Sequence, residues 1–271
     1  MLVGGLRDEI GFIGCGNMAS AMIGGILEKG ICSKQEIIVS NRTVEGNERS
    51  KKNLGVNVTL DNCQVVRETK TVILAVKPQF YEEVIAQVKG LITEKHVIIS
   101  IAPGKTLRWL EEKFGKPVKI VRTMPNTPAL VGEGMTGVCA NSYVQDIEMA
   151  GIKEILGSFG RYEVIPERLM DVVVSVSGSS PAYVFMFIEA MADAAVADGM
   201  PRAQAYEFAA QAVMGSAKMV LETGKHPGEL KDMVCSPGGT TIEAVRQLEK
   251  GGFRSSIIEA MKACVEVGRK M

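Results

Sequence analysis

The stretch IGFIGCGNMA, from Ile10 to Ala19, decides the fold of the first half of this chain. A short apolar run leads into the pattern Gly-x-Gly-x-x-Ala, in which Gly14 permits a tight turn and Gly16 lets the backbone approach a diphosphate. A helix that begins near Asn17 and Met18 directs free N–H groups and the positive end of its dipole at the same point. This order is typical of a dinucleotide-binding strand, turn and helix.

Strand and helix patterns alternate around this motif as far as residue 165. The candidate strands are short runs rich in Val and Ile, at Glu9–Ile13, Glu36–Ser40, Thr71–Val76, Val97–Ile101 and Lys119–Thr123. Helical patterns occupy Met18–Lys29, Glu45–Asn53, Tyr81–Leu91 and Leu107–Phe114, and the runs Gly137–Asn141 and Tyr162–Ile165 extend the sheet. The alternation predicts an α/β class domain over residues 1–165, a Rossmann-like, doubly wound, mostly parallel sheet.

Residues 166–271 read as an all-helical C-terminal domain. Strand patterns stop after Pro166, and four helices are predicted at Pro181–Asp198, Arg202–Glu222, Thr241–Lys250 and Phe253–Lys270. The first two are apolar on nearly every side, so they need a covering partner. About 105 residues form a small core by themselves, which favours burial against a second copy in a homodimer. The alternative is a large helical core within a monomer.

Composition excludes several classes of function. Lys plus Arg and Asp plus Glu both number 31, and no basic block is present, so nucleic acid is not an expected partner. Six scattered cysteines and two histidines offer no zinc pattern, and no metal is expected. Neither a signal peptide nor an unbroken membrane-spanning run is read, so we expect a cytoplasmic protein without membrane contact.

The tip of the second strand indicates which dinucleotide binds. NAD-selective sites place an acid there, whereas this chain has Ser40-Asn41-Arg42-Thr43 and no acid until Glu45. A guanidinium suits a 2′-phosphate, so the sequence predicts NADPH, with NADH as an alternative cofactor. The competing interpretation is that Arg42 is an exposed turn residue without a role.

Two further loops follow strands at the carboxyl edge where such sheets bind ligands. Val76 and Lys77 stand at the end of the third strand, and Lys77 either lies along the cofactor, pairs with an acid or is an exposed turn residue. Asn126 stands between two prolines after the fifth strand, an arrangement that holds a polar side chain rigidly. Spacing alone assigns neither loop.

In the helical half, Ser236-Pro237-Gly238-Gly239-Thr240-Thr241 leads directly into a helix. Successive N–H groups at a helix start form a pocket for a small carboxylate. An ordinary turn in which one threonine caps the helix is the other interpretation.

Taken together, these segments resemble the pyrroline-5-carboxylate reductase family from Ile10 almost to the C-terminus. The similar segments are GFIGCGNMA (11–19), LAVKPQ (74–79), VRTMPNTPA (121–129), VSGSSPAY (176–183), HPGELKD (226–232), SPGGTT (236–241) and LEKGGFR (248–254). The chain departs from common family patterns at Pro103 and Ser180, which carry no assigned role.

The resemblance implies reduction of 1-pyrroline-5-carboxylate to L-proline by NAD(P)H, the last step of proline biosynthesis. It implies a substrate-carboxylate loop formed by Ser236, Gly239, Thr240 and Thr241, with the Thr241 hydroxyl facing the ring nitrogen as the catalytic contact. It also implies that Asn62 lies near the adenosine and that Ala75, Lys77 and Pro78 contact the cofactor. Homodimers are implied, together with their assembly into decamers.

Two other functions compete with this interpretation. A β-hydroxyacid dehydrogenase shares the fingerprint but uses a lysine shortly after its second-domain glycine motif, and here no lysine follows Gly178 before Lys218. An NADP-sensing scaffold would have no need of the SPGGTT loop. The preference for NADPH over NADH, feedback by proline, other imine substrates and the role of residues 1–9 are left open.

Overall fold

The computed structural model describes residues 9–270, and its first unit is built on one eight-stranded sheet. The strands are β1 (Ile10–Ile13), β2 (Ile37–Ser40), β3 (Asn57–Thr59), β4 (Thr71–Leu74), β5 (Val97–Ser100), β6 (Lys119–Met124), β7 (Gly134–Ala140) and β8 (Gly160–Val164). They lie in the order β3-β2-β1-β4-β5-β6-β7-β8. All neighbours are parallel except β6 and β7. The predicted doubly wound, mostly parallel sheet is therefore confirmed.

Helices connect and follow the strands. They are α1 (Asn17–Glu28), α2 (Val44–Leu54), α3 (Asn62–Glu68), α4 (Tyr81–Val88), α5 (Leu107–Phe114), α6 (Asp146–Gly157), α7 (Met170–Val173), α8 (Ser180–Ala197), α9 (Arg202–Thr223), α10 (Pro227–Val234), α11 (Thr240–Lys250) and α12 (Phe253–Gly268). A π-helical segment, Val174–Gly178, follows α7. Thus the alternating half gives way to an all-helical half, as predicted.

The central strands are apolar because both faces of the sheet are covered. One buried cluster joins the sheet to α1 and α6 through side chains such as Met22, Ile26 and Ile155. A second cluster covers the opposite face with α3, α4 and α5, including Val65 and Leu110. Residues of β1, β2, β4 and β5 are buried along their whole length, which explains why these strands read as continuous apolar runs.

The described residues divide into two compact units. The first runs to Ser179 and includes the chain again from Cys264, and the second is Ser180–Ala263. This division falls later than the predicted boundary between residues 165 and 166, because Arg122 on β6 binds the segment after β8. Its buried guanidinium donates to Glu167 at 3.0 Å and lies 3.7 Å from Asp171. A limit at 165 stays a prediction for the nucleotide-binding module. Of residues 1–9, whose role the sequence leaves open, residues 1–8 lie outside the described residues.

Candidate functional site

The glycine-rich turn after β1 has the geometry that its sequence predicts. Gly14 has a φ of +93°, and a Cβ there would lie 2.9 Å from both the Ala75 carbonyl oxygen and Cγ1 of Val76. Its N–H donates to the Ser40 carbonyl at 2.8 Å, which ties the turn to β2. Gly16 caps α1, and a Cβ there would meet no atom within 4 Å. Space is therefore open at the point where a diphosphate would approach the backbone.

A cavity of about 590 Å³ opens at the carboxyl ends of β1, β2 and β4, in front of this turn. Seven residues predicted to bind the cofactor line it: Gly14, Gly16, Asn41, Arg42, Asn62, Val76 and Lys77. Five others do not: Asn17, Met18, Ala75, Pro78 and Asn126. Asn17, Ala75 and Pro78 are chain neighbours of lining residues and Met18 is two residues from Gly16, whereas Asn126 belongs to a separate loop.

Asn126 has a scaffold role in this structure. Its Nδ2 donates to the Ser177 carbonyl at 3.0 Å, and its Oδ1 accepts from the Met135 N–H at 2.8 Å. Both ends of the buried amide are thus engaged in joining the loop after β6 to β7 and to the π-helical segment. These two hydrogen bonds tie the loop to its neighbours, in addition to the restraint predicted from its two prolines.

A chain of polar contacts forms the wall beside Asn62. Ser40 Oγ donates to Asn62 Oδ1 at 2.7 Å, and Asn62 Nδ2 donates to Gln87 Oε1 at 2.8 Å. Gln87 in turn donates to Glu83 at 3.3 Å. Asp61 caps α3 by accepting from the N–H of Cys63, a bond that lowers the pKa of its carboxyl below the usual value. Asn62 is consequently held in one orientation at the edge of the cavity.

Three cationic side chains also line the cavity, namely Arg42, Arg49 and Lys77. Arg42 lies over the ring of Phe80, with 5.3 Å from its Cζ to the ring centroid. Arg49, on α2, also lines the cavity, as does Lys77. Within residues 9–270, none of these three cations forms a salt bridge. This favours an anionic ligand, and it removes the interpretation in which Lys77 pairs with an acid of the described chain.

Sequence reasoning missed Arg49, Phe80 and Gln87. Arg49 belongs to a polar helix, whose sequence predicts only a solvent-exposed surface. Arg49 reaches the cavity because α2 folds back over the end of β2. Phe80 follows a Lys-Pro turn, and its contact with Arg42 joins residues from two different strand ends. The absence of an acid at the tip of β2 is the sequence feature that points to a cation-lined cavity there.

The SPGGTT loop forms a tight turn before α11 in the second unit. Pro237 and Gly238, whose φ is +68°, are the central residues, and the Gly239 N–H closes the turn on the Ser236 carbonyl at 3.1 Å. Gly239 is the N-cap of α11 and supplies no side-chain acceptor. Neither Thr240 nor Thr241 is the cap, contrary to the plain-turn interpretation, because both lie inside the first helical turn. The N–H groups of that turn are therefore available to an anion.

Ser236 and Thr241 add hydroxyls to the same turn. A Cβ on Gly239 would lie 2.3 Å from Ser236 Oγ, so a side chain there would displace the Ser236 hydroxyl from this position. Ser236 and Thr240 are exposed and Thr241 is half-buried. The structure thus brings the four predicted substrate residues together in one loop.

The second unit presents an extensive apolar surface. Phe185 on α8 and Phe208 on α9 are 63% and 68% exposed, and Met186 is 68% exposed. Only Ala192 is fully buried among the residues of α8. The helical stretch Glu167–Ala197 is long and apolar enough to cross a membrane by length and composition, with a mean hydropathy of 1.4. Such a surface needs a covering partner.

The potential metal ligands and the cysteines of the described chain are dispersed. Within residues 9–270, no group of three or more His, Cys, Asp or Glu side chains is placed to bind a metal ion. All six cysteines are free. Burial raises the pKa of Cys32 and Cys139 to about 11, so both are neutral thiols at physiological pH.

Two protein-family models match the two halves of this chain. The family described as "Pyrroline-5-carboxylate reductase dimerisation" matches residues 167–271, and "NADP oxidoreductase coenzyme F420-dependent" matches residues 9–104. Pyrroline-5-carboxylate reductase of Escherichia coli (strain K12) is 51% identical over 266 residues, covering 98% of this chain and 99% of that protein. The enzyme of that name from Methanosarcina acetivorans is 42% identical over 97% of this chain and 99% of its own length.

A solved structure shares the fold over the same length. The crystal structure of Plasmodium falciparum pyrroline carboxylate reductase with NADP bound superposes with a TM-score of 0.90 at 33% identity. It covers 98% of this chain and 99% of that one. The similarity therefore extends through both units, from the glycine-rich turn to the SPGGTT loop.

Proposed function

This chain belongs to the pyrroline-5-carboxylate reductase family, and we infer from that membership that it is an NAD(P)H-dependent oxidoreductase acting on a C=N bond. It reduces 1-pyrroline-5-carboxylate to L-proline, the last step of proline biosynthesis. The observation that carries the inference is the 51% identity over nearly the whole chain, because it spans both the nucleotide turn and the SPGGTT loop. The β-hydroxyacid dehydrogenase alternative is thereby set aside.

NADPH is the proposed cofactor, with NADH as a weaker substitute. The residues fit it: the open space at Gly16 admits a diphosphate, and the cations Arg42 and Lys77 line a cavity of suitable size. We propose backbone contacts from Gly14, Gly16, Asn17 and Met18 and from the segment Ala75–Pro78. Asn62 fits the adenosine side, and Asn126 serves as a positioning residue for the loop after β6.

The reduced nicotinamide supplies a hydride when it is bound. The protein's task is then to hold the imine carbon in reach and to favour the protonated nitrogen. We propose that the free N–H groups at the start of α11, with Ser236 Oγ and Thr240, bind the substrate carboxylate. As the imine carbon (C2 of the pyrroline ring, which becomes C5 of proline) gains the hydride, the C=N π electrons pass to nitrogen, which carries the proton. Thr241 Oγ hydrogen-bonds this nitrogen or relays its proton through water.

The protein forms homo-oligomers through its C-terminal half. We propose that the basic unit is a homodimer whose partner covers the exposed surface of α8 and α9, and that dimers assemble further into decamers. A partner subunit is a better cover than lipid, because Ser175, Ser177, Ser179 and Ser180 interrupt the apolar stretch Glu167–Ala197. We further propose a soluble, cytoplasmic enzyme that binds a small-molecule substrate and no nucleic acid.

Replacing Thr241 tests the proposed chemistry. Thr241→Val removes one hydrogen bond of about 1.5 kcal/mol, so kcat/KM for pyrroline-5-carboxylate should fall on the order of tenfold or more. Thr241→Ser keeps the hydroxyl and is the matched control. NADPH oxidation is followed by absorbance, and proline is quantified as product. Equal activity of the Val variant and the wild type would remove Thr241 from the mechanism.

A further inference from the structure

The wall of the cavity formed by residues 41–50 presents two guanidinium groups. Arg42 extends from the carboxyl end of β2, and Arg49 from α2, and both line the same cavity. In the described part of the chain, neither has a carboxylate partner. Two uncompensated positive charges on one wall repel each other unless an anion lies between or beside them.

Local hydrogen bonds hold this segment in place. Thr43 Oγ1 accepts from the Gly46 N–H at 3.1 Å and caps α2. Asn41 Nδ2 donates to Asn47 Oδ1 and to Ser50 Oγ, both at 3.1 Å. The Asn41 amide is thus engaged within the segment, and its effect is to fix α2 against the end of β2. Both arginines are in this way attached to one rigid backbone.

Phe80 constrains the Arg42 guanidinium. A cation within about 6 Å of an aromatic centroid is attracted by the ring, and the Arg42 Cζ lies at 5.3 Å. Phe80 follows β4, so the contact bridges two strand ends across the cavity. A stacked guanidinium loses less freedom when it binds an anion than a freely rotating one does.

We propose that Arg49 is a second cation for the 2′-phosphate of NADP(H), and that Phe80 is a positioning residue that holds Arg42 for the same group. This inference rests on the proposed function. A phosphate dianion has oxygens enough for two guanidinium groups, and charge-assisted bonds of this kind are the strong ones. Glu83 is the one carboxylate among the described residues that line the cavity; an acid favours a ribose 2′-hydroxyl instead, and the test distinguishes the two.

The test is equilibrium binding of NADPH, NADH and 2′,5′-ADP to the full-length protein, by calorimetry or protein fluorescence. Arg49→Gln should weaken NADPH and 2′,5′-ADP about tenfold or more and change NADH by less than about twofold. Lys52→Gln is the matched control, since it removes one exposed charge from the same helix outside the cavity and should leave all three constants unchanged. Equal losses for NADPH and NADH, or no loss for either, would overturn the role of Arg49.

A double-mutant cycle tests Phe80. Phe80→Leu and Arg42→Gln should each weaken NADPH, and together they should weaken it by clearly less than the product of the two effects. Losses that multiply independently, or an equal loss for NADH, would assign Phe80 to another part of the nucleotide and overturn its positioning role. If the wild type binds NADPH more tightly than NADH and Arg49→Gln keeps that preference, only this inference fails. A wild type that binds neither dinucleotide would overturn the proposed function as well.

Discussion

The two glycines of the nucleotide turn should separate folding from cofactor binding. Gly14→Ala places a Cβ at a φ of +93°, 2.9 Å from a backbone oxygen, so the backbone must shift. Left-handed strain alone costs about 1–2 kcal/mol, and the contact adds to it. We expect the free energy of unfolding to fall by about 2 kcal/mol or more. Gly16 differs because its φ of −87° suits any residue and its Cβ position is open.

Gly16→Ala should therefore fold normally and bind poorly. The less favourable helix cap costs about 0.5–1 kcal/mol, and the lower entropy of the unfolded chain returns about 0.4–1 kcal/mol. The added methyl projects into the space reserved for the diphosphate, so NADPH affinity should fall at least about tenfold, or ~1.4 kcal/mol.

Urea unfolding and NADPH titration at one fixed protein concentration measure both quantities for both variants. Normal NADPH binding by Gly16→Ala, or an equal loss of stability in the two variants, would refute the reasoning.

Three further predictions concern stability and assembly. Burial raises the pKa of Tyr81 to about 12, so as pH rises the unfolded chain loses the phenolic proton before the folded protein does. The free energy of unfolding should therefore decline above about pH 10. Tyr81→Phe should reduce that decline in urea titrations, and an unchanged pH profile would contradict this prediction. Glu167→Gln leaves the buried Arg122 guanidinium with only the more distant carboxylate of Asp171, so the free energy of unfolding should fall by about 1–3 kcal/mol in the same assay. An unchanged free energy of unfolding would show that the Arg122–Glu167 pair contributes nothing to stability. Phe208→Glu should shift the enzyme to smaller species in sedimentation velocity, and an intact oligomer would place the interface elsewhere.

Much of the fold could be predicted because its signals are strong and local. The buried strands β1, β2, β4 and β5 are apolar runs, and the fingerprint fixes the first turn. The prediction omitted β3, α3, α6, α7 and α10. Strand β3 is a three-residue edge strand, Asn57–Thr59, with exposed or half-buried side chains, so it has no apolar run. Helix α10 begins with Pro-Gly, a pair that reads as a turn.

The candidate site could be predicted in part, for a related reason. Gly14, Gly16 and Arg42 are adjacent to sequence signals, and the cavity includes them. Arg49 and Phe80 carry no such signal, since their places follow from the path of α2 and from a contact between separate strand ends. The hydrogen bonds that engage Asn126 are equally invisible in the sequence, because their partners are backbone groups of β7 and of the segment after α7.

The central claim is that this chain transfers a hydride from NADPH to the imine carbon of pyrroline-5-carboxylate. The most direct measurement uses NADPH carrying deuterium at both C4 positions, with mass spectrometry and NMR of the product. The account predicts L-proline with a single deuterium at C5. Proline without deuterium, deuterium at another carbon, or oxidation of the cofactor without proline would contradict it.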